Sequence, residues 1–425
     1  MTYLVIGAGP AGLAAIQSMK DAGHAVEAVE QNADVGGQWL FGAPPSAVYA
    51  STHLISSKRT TAFADYPMPE DWPAYPSHRQ VLDYLQSYAR HFDLYPLIRF
   101  DTGVKSLKRQ GQGWQATFSD GTSGDYAGVI IANGHLSDPL IPNMAGAFDG
   151  PVMHAKDYKT ADIFDGKRVL VVGMGNTGCD IVVDAVHRAD KVLWSVRGGN
   201  HFVPKFLAGK PADEGNHKPK RFIMPKSIRS RLHEPILRFI VGPPERFGLP
   251  RPEHRLYDRT PIVNSLVLQH LGQGDVGVRK PIRAFDGKRV IFVDGLSDDV
   301  DLVLLATGYR ITFPFLDDLS PLDWQQAIGA PRLFMNMFPS GDNGLYVAGL
   351  LEGAGVGWEG RALQARVIAA YLAARAARPD AAAAWRREIA QWFAQPPRGD
   401  GGEHGLFVDF LTYKRDLQRA LARLS

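Results

Sequence analysis

Cysteine is almost absent from this sequence, which has a single one, Cys179, among 425 residues. One cysteine cannot form an intrachain disulfide or the paired thiols of a dithiol redox centre, so both are excluded. No apolar run approaches the roughly 18 residues of a membrane-spanning helix. No basic segment followed by an apolar signal region precedes the first predicted strand. We therefore expect a cytoplasmic protein without a membrane span.

The chain also lacks a strong charge of either sign, because its net charge at pH 7 is only +3. So small an excess does not indicate a nucleic-acid partner. Apolar residues make up 45% and charged residues 21%, which is typical of a globular protein. The length leaves room for two or three domains with well-filled cores. We predict no metal site.

A glycine-rich loop follows the first predicted strand, Tyr3–Ile6. A helix is predicted from about Ala11 to Ala22, and a second strand over residues 25–29 ends at Glu30. In such a βαβ unit the three glycines make a tight turn, let the backbone approach a pyrophosphate, and let the helix pack on the sheet. A carboxylate after the second strand accepts both ribose hydroxyls. The predicted contacts with this nucleotide are Gly7, Gly9, Pro10, Ala11, Gly12 and Glu30.

A second short glycine segment, Asp34-Val35-Gly36-Gly37-Gln38-Trp39, comes soon after this unit. Two glycines let the chain pass close to a flat ring, and the Trp39 indole can cover that ring. Following a Rossmann unit, the segment favours FAD over NAD as the first nucleotide. Gly37, Gln38 and Trp39 are therefore added to the predicted FAD contacts.

A second glycine loop opens another βαβ unit about 166 residues after the first. Its helix is predicted from about Asn176 to Ala189 and its return strand over residues 192–196. Where the first unit places Glu30, this unit places Arg197. A cation there suits the 2′-phosphate of NADPH, whereas an acid would suit NADH. The predicted contacts with this nucleotide are Gly173, Gly175, Asn176, Thr177, Gly178 and Arg197.

These patterns predict an α/β protein with two Rossmann-like dinucleotide-binding domains, in which the NADPH domain interrupts the FAD domain. Residues 1–160 are predicted to form the first part of the FAD domain. Residues 161–285 are predicted to form the NADPH domain with a proline-rich insertion. Residues 286–425 then complete the FAD domain and add the C-terminal helices.

One further motif lies between the two loops, with Phe148, Gly150, His154 and Tyr158 in the pattern F-x-G-x-x-x-H-x-x-x-Y. Together with Gly36–Trp39 and the Ala-Thr-Gly-Tyr segment at 306–309, it resembles the flavin-containing monooxygenases, the class B flavoprotein monooxygenases. The resemblance covers nearly the whole chain. Residues 201–213 resemble the soluble bacterial and YUCCA-like branches, so we expect no membrane tail of the mammalian kind.

The resemblance implies a reaction cycle as well as a fold. In this family NADPH reduces FAD, dioxygen adds to the reduced flavin to give a C4a-(hydro)peroxyflavin, and a soft nucleophile takes one oxygen atom. Exclusion of water protects the intermediate from decay to hydrogen peroxide. The implied substrates are small amines, sulfides and indole-like compounds, together with O₂. A homodimer is a further family expectation.

The sequence departs from the family near the flavin, where many members carry an asparagine and this chain has Ile55. An isoleucine side chain cannot form a hydrogen bond. His53 would share a face with Ile55 in an extended segment, and we predict that it serves as the polar catalytic residue. Ser56 is the second candidate for this role. Some relatives with a histidine nearby also oxidise ketones, so Baeyer–Villiger oxygenation is an open alternative.

Two weaker assignments also follow from the resemblance. Val104 is expected to contact the adenine of FAD through its backbone. Gln364 is expected near the start of the last helix of the FAD domain, whose N-terminus would point at the flavin pyrimidine. A thioredoxin-reductase-like enzyme is excluded by the single cysteine, whereas an uncoupled NADPH oxidase or a redox-sensing binding protein stays open.

Overall fold

The computed structural model describes residues 1–214, 225–322, 329–353, 356–395 and 406–425. The described strands are β1 Tyr3–Ile6, β2 Val26–Val29, β3 Ile98–Arg99, β4 Val104–Gln110, β5 Gly113–Phe118, β6 Ser123–Tyr126, β7 Gly128–Ile131, β8 Asp138–Pro139, β9 Val152–His154, β10 Arg168–Val172, β11 Lys191–Ser195, β12 Phe206–Leu207, β13 Lys210–Pro211, β14 Val276–Arg279, β15 Ile282–Asp286, β16 Arg289–Phe292, β17 Ser297–Asp299, β18 Leu302–Leu305, β19 Tyr309–Arg310 and β20 Leu345–Val347. The described helices are α1 Pro10–Asp21, α2 Lys58–Thr61, α3 His78–His91, α4 Asn176–Val186, α5 Lys226–Val241, α6 Leu266–Gln273, α7 Gly357–Ala377, α8 Pro379–Phe393 and α9 Phe410–Leu424.

The chain divides into two compact units. The first unit comprises Met1–Ser46, Lys58–His135 and Ile311–Ser425. The second unit comprises Ala47–Ser57 and Leu136–Arg310. Each unit contains a parallel sheet in which one strand leads through a glycine loop into a helix. The predicted α/β class with two Rossmann-like sheets is therefore confirmed.

The first unit is built on a parallel sheet with the strand order β20-β7-β1-β2-β3. Its central strands are apolar on both faces, as expected for a sheet that helices cover. The helices α1 and α7 pack against each other, and α9 packs on α7. A separate antiparallel sheet, β4-β5-β6, buries Trp114 and Phe118 in the same core.

The second unit is built on a parallel sheet with the order β14-β11-β10-β18-β9. Trp194, Phe164 and Val171 lie fully buried in one of its cores. An antiparallel sheet, β15-β16-β17, forms a further core with the strand β18.

The boundaries of the compact units differ from the boundaries predicted from the sequence. The predicted boundaries at 160/161 and 285/286 both fall inside the second unit, whose edges lie at 135/136 and 310/311. The reason is nonlocal strand pairing, because β9 pairs with β18 and β8 pairs with β19. The short segment 47–57 also belongs to the second unit.

Most predicted elements near the glycine loops lie within a residue or two of their observed positions. The helix α7 begins within a glycine-rich stretch, at Gly357. Glycines favour a loop over a helix, but Gly357 and Gly360 lie in the first turn of a helix that buries residues on most of its faces. In the described part of the chain, no helix is both long and apolar enough to cross a membrane.

Candidate functional site

The first glycine loop joins β1 to α1 and leaves no room for a larger residue at its third glycine. A Cβ atom placed on Gly12 would lie 1.9 Å from the carbonyl oxygen of Gly7. The helix therefore packs directly on the turn that precedes it. Gly9 is the N-cap of α1, no side chain caps the helix, and Pro10 occupies its first turn. An uncapped helix N-terminus presents backbone N–H groups and partial positive charge, which suits a phosphate.

Glu30 follows β2 and is almost fully buried beside this loop. The backbone N–H of Ala8 donates to its Oε2 at 2.8 Å. The backbone N–H and the side-chain amide of Asn32 donate to Oε1 at 3.0 and 2.9 Å. The carboxylate is thus held in place by three donors, and it fixes the loop as well as the strand end. Its predicted contact with a ribose stays a prediction.

The second glycine segment lies directly against the first loop. The N–H of Gly36 donates to the carbonyl oxygen of Ala8 at 3.1 Å. A Cβ atom on Gly37 would lie 2.9 Å from the Cα of Gly9. Gly37–Trp39 forms a 3₁₀ turn, and the Trp39 ring meets the Trp358 ring edge-on at 6.4 Å. The structure therefore brings the Gly9 and Gly37 segments together within the first unit.

Three other predicted FAD residues lie in the first unit with their own partners. The Gln38 amide donates to the carbonyl oxygen of Pro45 at 3.3 Å. Val104 is the first residue of β4 and pairs with Phe118. Gln364 is the eighth residue of α7 and is fully buried.

The side chain of Gln364 is occupied by protein groups. It accepts a hydrogen bond from the N–H of Gly349 at 2.9 Å. Its amide nitrogen bonds the Tyr413 hydroxyl at 2.8 Å. Gln364 thereby ties the turn after β20 to α9. Gln364 was expected near the start of this helix, but α7 starts seven residues earlier, so Gln364 lies about two turns inside it. Its role near the flavin pyrimidine stays a prediction.

The second glycine loop joins β10 to α4 with the same design. A Cβ atom on Gly178 would lie 2.4 Å from the carbonyl oxygen of Gly173, as at the first loop. In contrast, nothing lies within 4 Å of a Cβ placed on Gly175, the N-cap of α4. That N-cap is also without a side-chain hydrogen bond. Open space beside an uncapped helix N-terminus is the shape that a phosphate group requires.

The remaining predicted residues of the second loop differ in their surroundings. The Asn176 side chain accepts from the N–H of Val263 at 2.7 Å and donates to the carbonyl oxygen of Pro261 at 3.3 Å. It therefore holds the insertion against α4. Thr177 follows it in the first turn of α4 and is partly exposed. Arg197 lies two residues after β11 and is exposed.

The predicted catalytic residues His53 and Ser56 lie in the segment 47–57, which belongs to the second unit. Burial alternates along it, with His53 exposed, Leu54 buried and Ile55 exposed. This alternation agrees with the predicted shared face of His53 and Ile55. The His53 Nδ1 lies 2.9 Å from the carbonyl oxygen of Ser51. Because a carbonyl only accepts, Nδ1 carries a proton.

Two aspartates of α4, which the sequence analysis did not single out, anchor this segment. The Tyr49 hydroxyl donates to Asp180 at 2.7 Å, and the Ser51 hydroxyl donates to Asp184 at 2.5 Å. Burial raises the pKa of Asp180, although the hydrogen bonds from Tyr49 and Asn264 act in the opposite direction. The spacing of four residues on one helix was the available signal, since it places both carboxylates on one face.

The family motif between the loops has structural roles in this chain. The Lys156 N–H donates to Nδ1 of His154 at 3.1 Å, so Nε2 carries the proton and donates to the Gly308 carbonyl oxygen at 3.1 Å. Burial lowers the pKa of His154. The Tyr158 hydroxyl donates to Asp184 at 2.7 Å. These contacts hold the second unit together.

The other half of the motif packs on the antiparallel sheet of the second unit. Phe148 forms a bridge with Gly287, and its ring lies 5.3 Å from the ring of Phe285. A Cβ atom on Gly150 would lie 2.9 Å from the carbonyl oxygen of Asp301. The motif therefore joins the start of β9 to the β15–β18 region.

Comparisons with known proteins agree with this architecture. Residues 2–391 match the family described as flavin-binding monooxygenase-like. Flavin-containing monooxygenase 5 of Mus musculus is 34% identical over 336 residues, which cover 74% of this chain and 63% of the relative. Flavin-containing monooxygenase 2 of Homo sapiens is 32% identical over 337 residues, covering 74% and 62%. The chain thus spans somewhat under two thirds of the length of these curated relatives.

Solved structures share the fold at low sequence identity. The S-allyl-L-cysteine S-oxygenase of Allium sativum aligns with a TM-score of 0.67 and 20% identity, over 99% of this chain and 88% of that one. An open structure of cyclohexanone monooxygenase aligns with a TM-score of 0.72 and 18% identity, over 99% and 98%. The family match confirms the predicted family and, with it, the predicted cofactors FAD and NADPH. The chain belongs to the flavin-binding monooxygenase-like family.

Proposed function

We propose that this protein is an NADPH-dependent flavoprotein monooxygenase that oxygenates nitrogen or sulfur in small soft nucleophiles such as amines, sulfides and indole-like compounds. One observation carries the proposal. In each of two separate parallel sheets, one strand leads through a glycine loop into an uncapped helix. A buried carboxylate, Glu30, lies beside the first loop, and an exposed guanidinium, Arg197, follows the next strand of the second unit. Such a pair suits two different dinucleotides in one protein.

The residues around the first loop fit FAD. The loop Gly7–Gly12 would hold the pyrophosphate on the N-terminus of α1, with Glu30 toward the ribose. The Gly37 segment, which lies against Gly9, would approach the ring system. The open space at Gly175 fits the pyrophosphate of NADPH, and Arg197 would pair with its 2′-phosphate. Bound together, NADPH supplies the hydride and FAD supplies the reaction with dioxygen.

The chain's own contribution near the reaction would come from the segment 47–57. Asp180 and Asp184 tie this segment to the helix that begins at the second loop. His53 therefore keeps a fixed position relative to the NADPH loop. We propose that the His53 imidazole donates or accepts a hydrogen bond beside the nicotinamide and the substrate, in place of the asparagine of other members. Ser56 is the second candidate.

The function is tested by accounting for every molecule of NADPH consumed. The purified holoenzyme is given amines, sulfides, indoles and ketones, and oxygenated products are identified by mass spectrometry while hydrogen peroxide is measured. We expect an oxygenated nitrogen or sulfur product and little peroxide with a good substrate. Stoichiometric peroxide with every substrate would contradict the proposal and identify an NADPH oxidase.

The role of His53 has its own measurement. In His53→Ala we expect the share of NADPH that ends as peroxide to rise, while KM for NADPH stays near the wild-type value. His53→Gln keeps hydrogen-bonding capacity and should restore part of the coupling. The substitution Ile55→Ala is the matched control on the same exposed face. An unchanged peroxide share in His53→Ala would show that His53 takes no part.

Oxygenation of ketones is the second candidate function. Its support is Ile55, which offers no hydrogen bond where many relatives place an asparagine, together with the neighbouring His53. Lactone or ester products in the same screen would favour it over heteroatom oxygenation. A cytoplasmic location and a homodimer stay predictions, to be checked by fractionation and by light scattering.

A further inference from the structure

Arg361 differs from the other two arginines of the helix α7. Arg366 pairs with Asp65 at 2.8 Å, and Arg375 pairs with Asp342 at 3.7 Å, so both of these exposed groups have a counter-charge. Arg361 follows the first turn of the helix and is partly buried. In the part of the chain that the structure describes, it forms no ion pair. A partly buried cation without a counter-charge is costly, so its presence indicates a function.

The Arg361 side chain points back toward the N-terminus of α7, as the side chains of a helix do. Its Nη1 donates to the carbonyl oxygen of Gly357, one turn earlier, at 2.7 Å. A guanidinium has five N–H donors, and among the described residues it makes no other hydrogen bond. Burial lowers the pKa of Arg361 to about 10, although attraction to Glu352 acts in the opposite direction. The group therefore stays charged at neutral pH, with most of its donors unused.

This guanidinium lies close to the first glycine loop. A Cβ atom placed on Gly349 would lie 4.0 Å from the Nε of Arg361. The same Cβ atom would lie 2.5 Å from the Cβ of Ala11, in the first turn of α1. The turn after β20 is therefore the common neighbour of Arg361 and of the helix that follows the first loop. All three residues belong to the first unit.

The position of Arg361 relative to the sheet selects one half of FAD. In the strand order β20-β7-β1-β2-β3, Glu30 follows β2 on one side of β1. A dinucleotide crosses a Rossmann sheet at the point where the strand order reverses. With the adenosine ribose at Glu30, the flavin half lies on the opposite side of β1, where β7 and β20 end. Arg361 follows β20 through Gly349, so it lies on the flavin side.

Two neighbours favour the flavin ring over the phosphates as the partner of Arg361. The bonded residue Gly357 precedes Trp358, whose ring meets the Trp39 ring at 6.4 Å. Trp39 belongs to the glycine segment that we propose to approach the ring. The N-terminus of α1 already supplies positive charge for the pyrophosphate. A reduced flavin carries its negative charge near N1 of the pyrimidine ring, and a cation there stabilises the reduced state.

We propose that the Arg361 guanidinium contacts the pyrimidine ring of FAD and favours the reduced flavin over the oxidised one. Arg361 thereby helps to set the reduction potential of the bound flavin. Glu352 is close enough to attract Arg361, so its negative charge opposes the effect. The inference rests on the proposed function through the placement of FAD in the first unit.

The midpoint potential of the holoprotein, measured by equilibration with a reference dye, tests the inference. In Arg361→Gln we expect the ratio of reduced to oxidised flavin at a fixed potential to fall by about tenfold, the loss of one charged hydrogen bond. This corresponds to a midpoint potential about 30 mV lower for a two-electron couple. Arg361→Lys keeps the charge and should restore most of the potential. Glu352→Gln removes the opposing charge and should raise the potential.

Arg375→Gln is the matched control, because it is the same substitution near the other end of α7. It should keep the wild-type potential. An unchanged potential in Arg361→Gln, or an equal decrease in the control, would overturn the inference. A weaker affinity for FAD at an unchanged potential would overturn it in favour of a phosphate contact. If Arg361→Gln retains no FAD, Glu352→Gln decides, and a potential at or below that of the wild type overturns the inference.

Failure of this inference and failure of the proposed function are distinguishable. A protein that releases only hydrogen peroxide still holds a flavin whose midpoint potential can be measured. An unchanged potential in Arg361→Gln leaves the products of the wild-type enzyme, and hence the proposed function, as they are.

Discussion

The glycine loop after β1 and the glycine loop after β10 turn with nearly the same backbone, since Gly7 has a φ of 101° and Gly173 a φ of 116°. They differ in the charged residue that follows the next strand. Glu30 is buried and held by three donors, whereas Arg197 is exposed. We propose that the shared part is the cradle for a pyrophosphate and that the part that differs decides which nucleotide is preferred.

The difference also concerns rigidity. A buried carboxylate bonded to the loop itself makes the first site part of the core. The guanidinium of Arg197, after the corresponding strand of the second unit, is exposed instead. We therefore expect substitution of Glu30 to affect stability and cofactor content, and substitution of Arg197 to affect mainly the affinity for the nucleotide.

The largest effect is expected from the third glycine of each loop. In Gly12→Ala and Gly178→Ala the new methyl group meets a carbonyl oxygen, which should cost about 3 kcal/mol of stability. Gly12→Ala should lose bound FAD, whereas Gly178→Ala should keep FAD and lose NADPH oxidation. Flavin absorbance and thermal unfolding check this. Gly175→Ala is the control, because nothing lies within 4 Å of its new Cβ and its melting temperature should not change.

The next effect concerns Arg197. If this guanidinium pairs with the 2′-phosphate, Arg197→Gln should raise KM for NADPH by about 10- to 100-fold, the loss of one charged hydrogen-bonded contact. KM for NADH should stay the same, because NADH lacks that phosphate. Steady-state kinetics with both cofactors measure this. Arg289→Gln, at another exposed arginine of the same unit, is the control. Equal changes for both cofactors would remove the proposed contrast with Glu30.

A smaller effect is expected at Glu30. Glu30→Gln keeps the size of the side chain but removes its charge. It also removes one of the two oxygen atoms that accept hydrogen bonds from the three donors. The affinity for FAD should fall by about tenfold, since one charge-assisted hydrogen bond contributes about 1.5 kcal/mol. Fluorescence titration of apoprotein with FAD measures this. An unaltered affinity would show that Glu30 serves only the loop. Glu27→Gln, on the same strand, is the control.

The smallest effect is a pH dependence confined to the second unit. Burial holds the pKa of His154 below its ordinary value of 6.5. Once the pH falls below about 6.5 the unfolded chain binds a proton that the native chain does not, so stability is lost toward acid pH. When the pH is lowered from about 7.5 to about 5.5, the melting temperature of His154→Gln should fall less than that of the wild type. An identical pH dependence in both proteins would contradict this.

The two loops were predictable from sequence because each is a local structure. The Gly7–Gly12 and Gly173–Gly178 patterns, the flanking apolar strands and Glu30 all lie within about 30 consecutive residues. The capping of α3 by Ser77 and Gln80 is another local feature, because the two residues are three positions apart. The start of α7 at Gly357 is not apparent from the sequence, because packing outweighs the low helix propensity of glycine there.

The sequence by itself determined the two nucleotide loops, their different charges and the family, because backbone sterics and short-range spacing act over few residues. Only the tertiary structure decided which segments share a unit. The segment 47–57 lies with the second loop through Asp180 and Asp184, and β9 and β18 pair across about 150 residues of chain. The tertiary structure alone also decided that α5 buries Arg229 and leaves Phe239 exposed, since only the surrounding contacts select which part of a helix is covered.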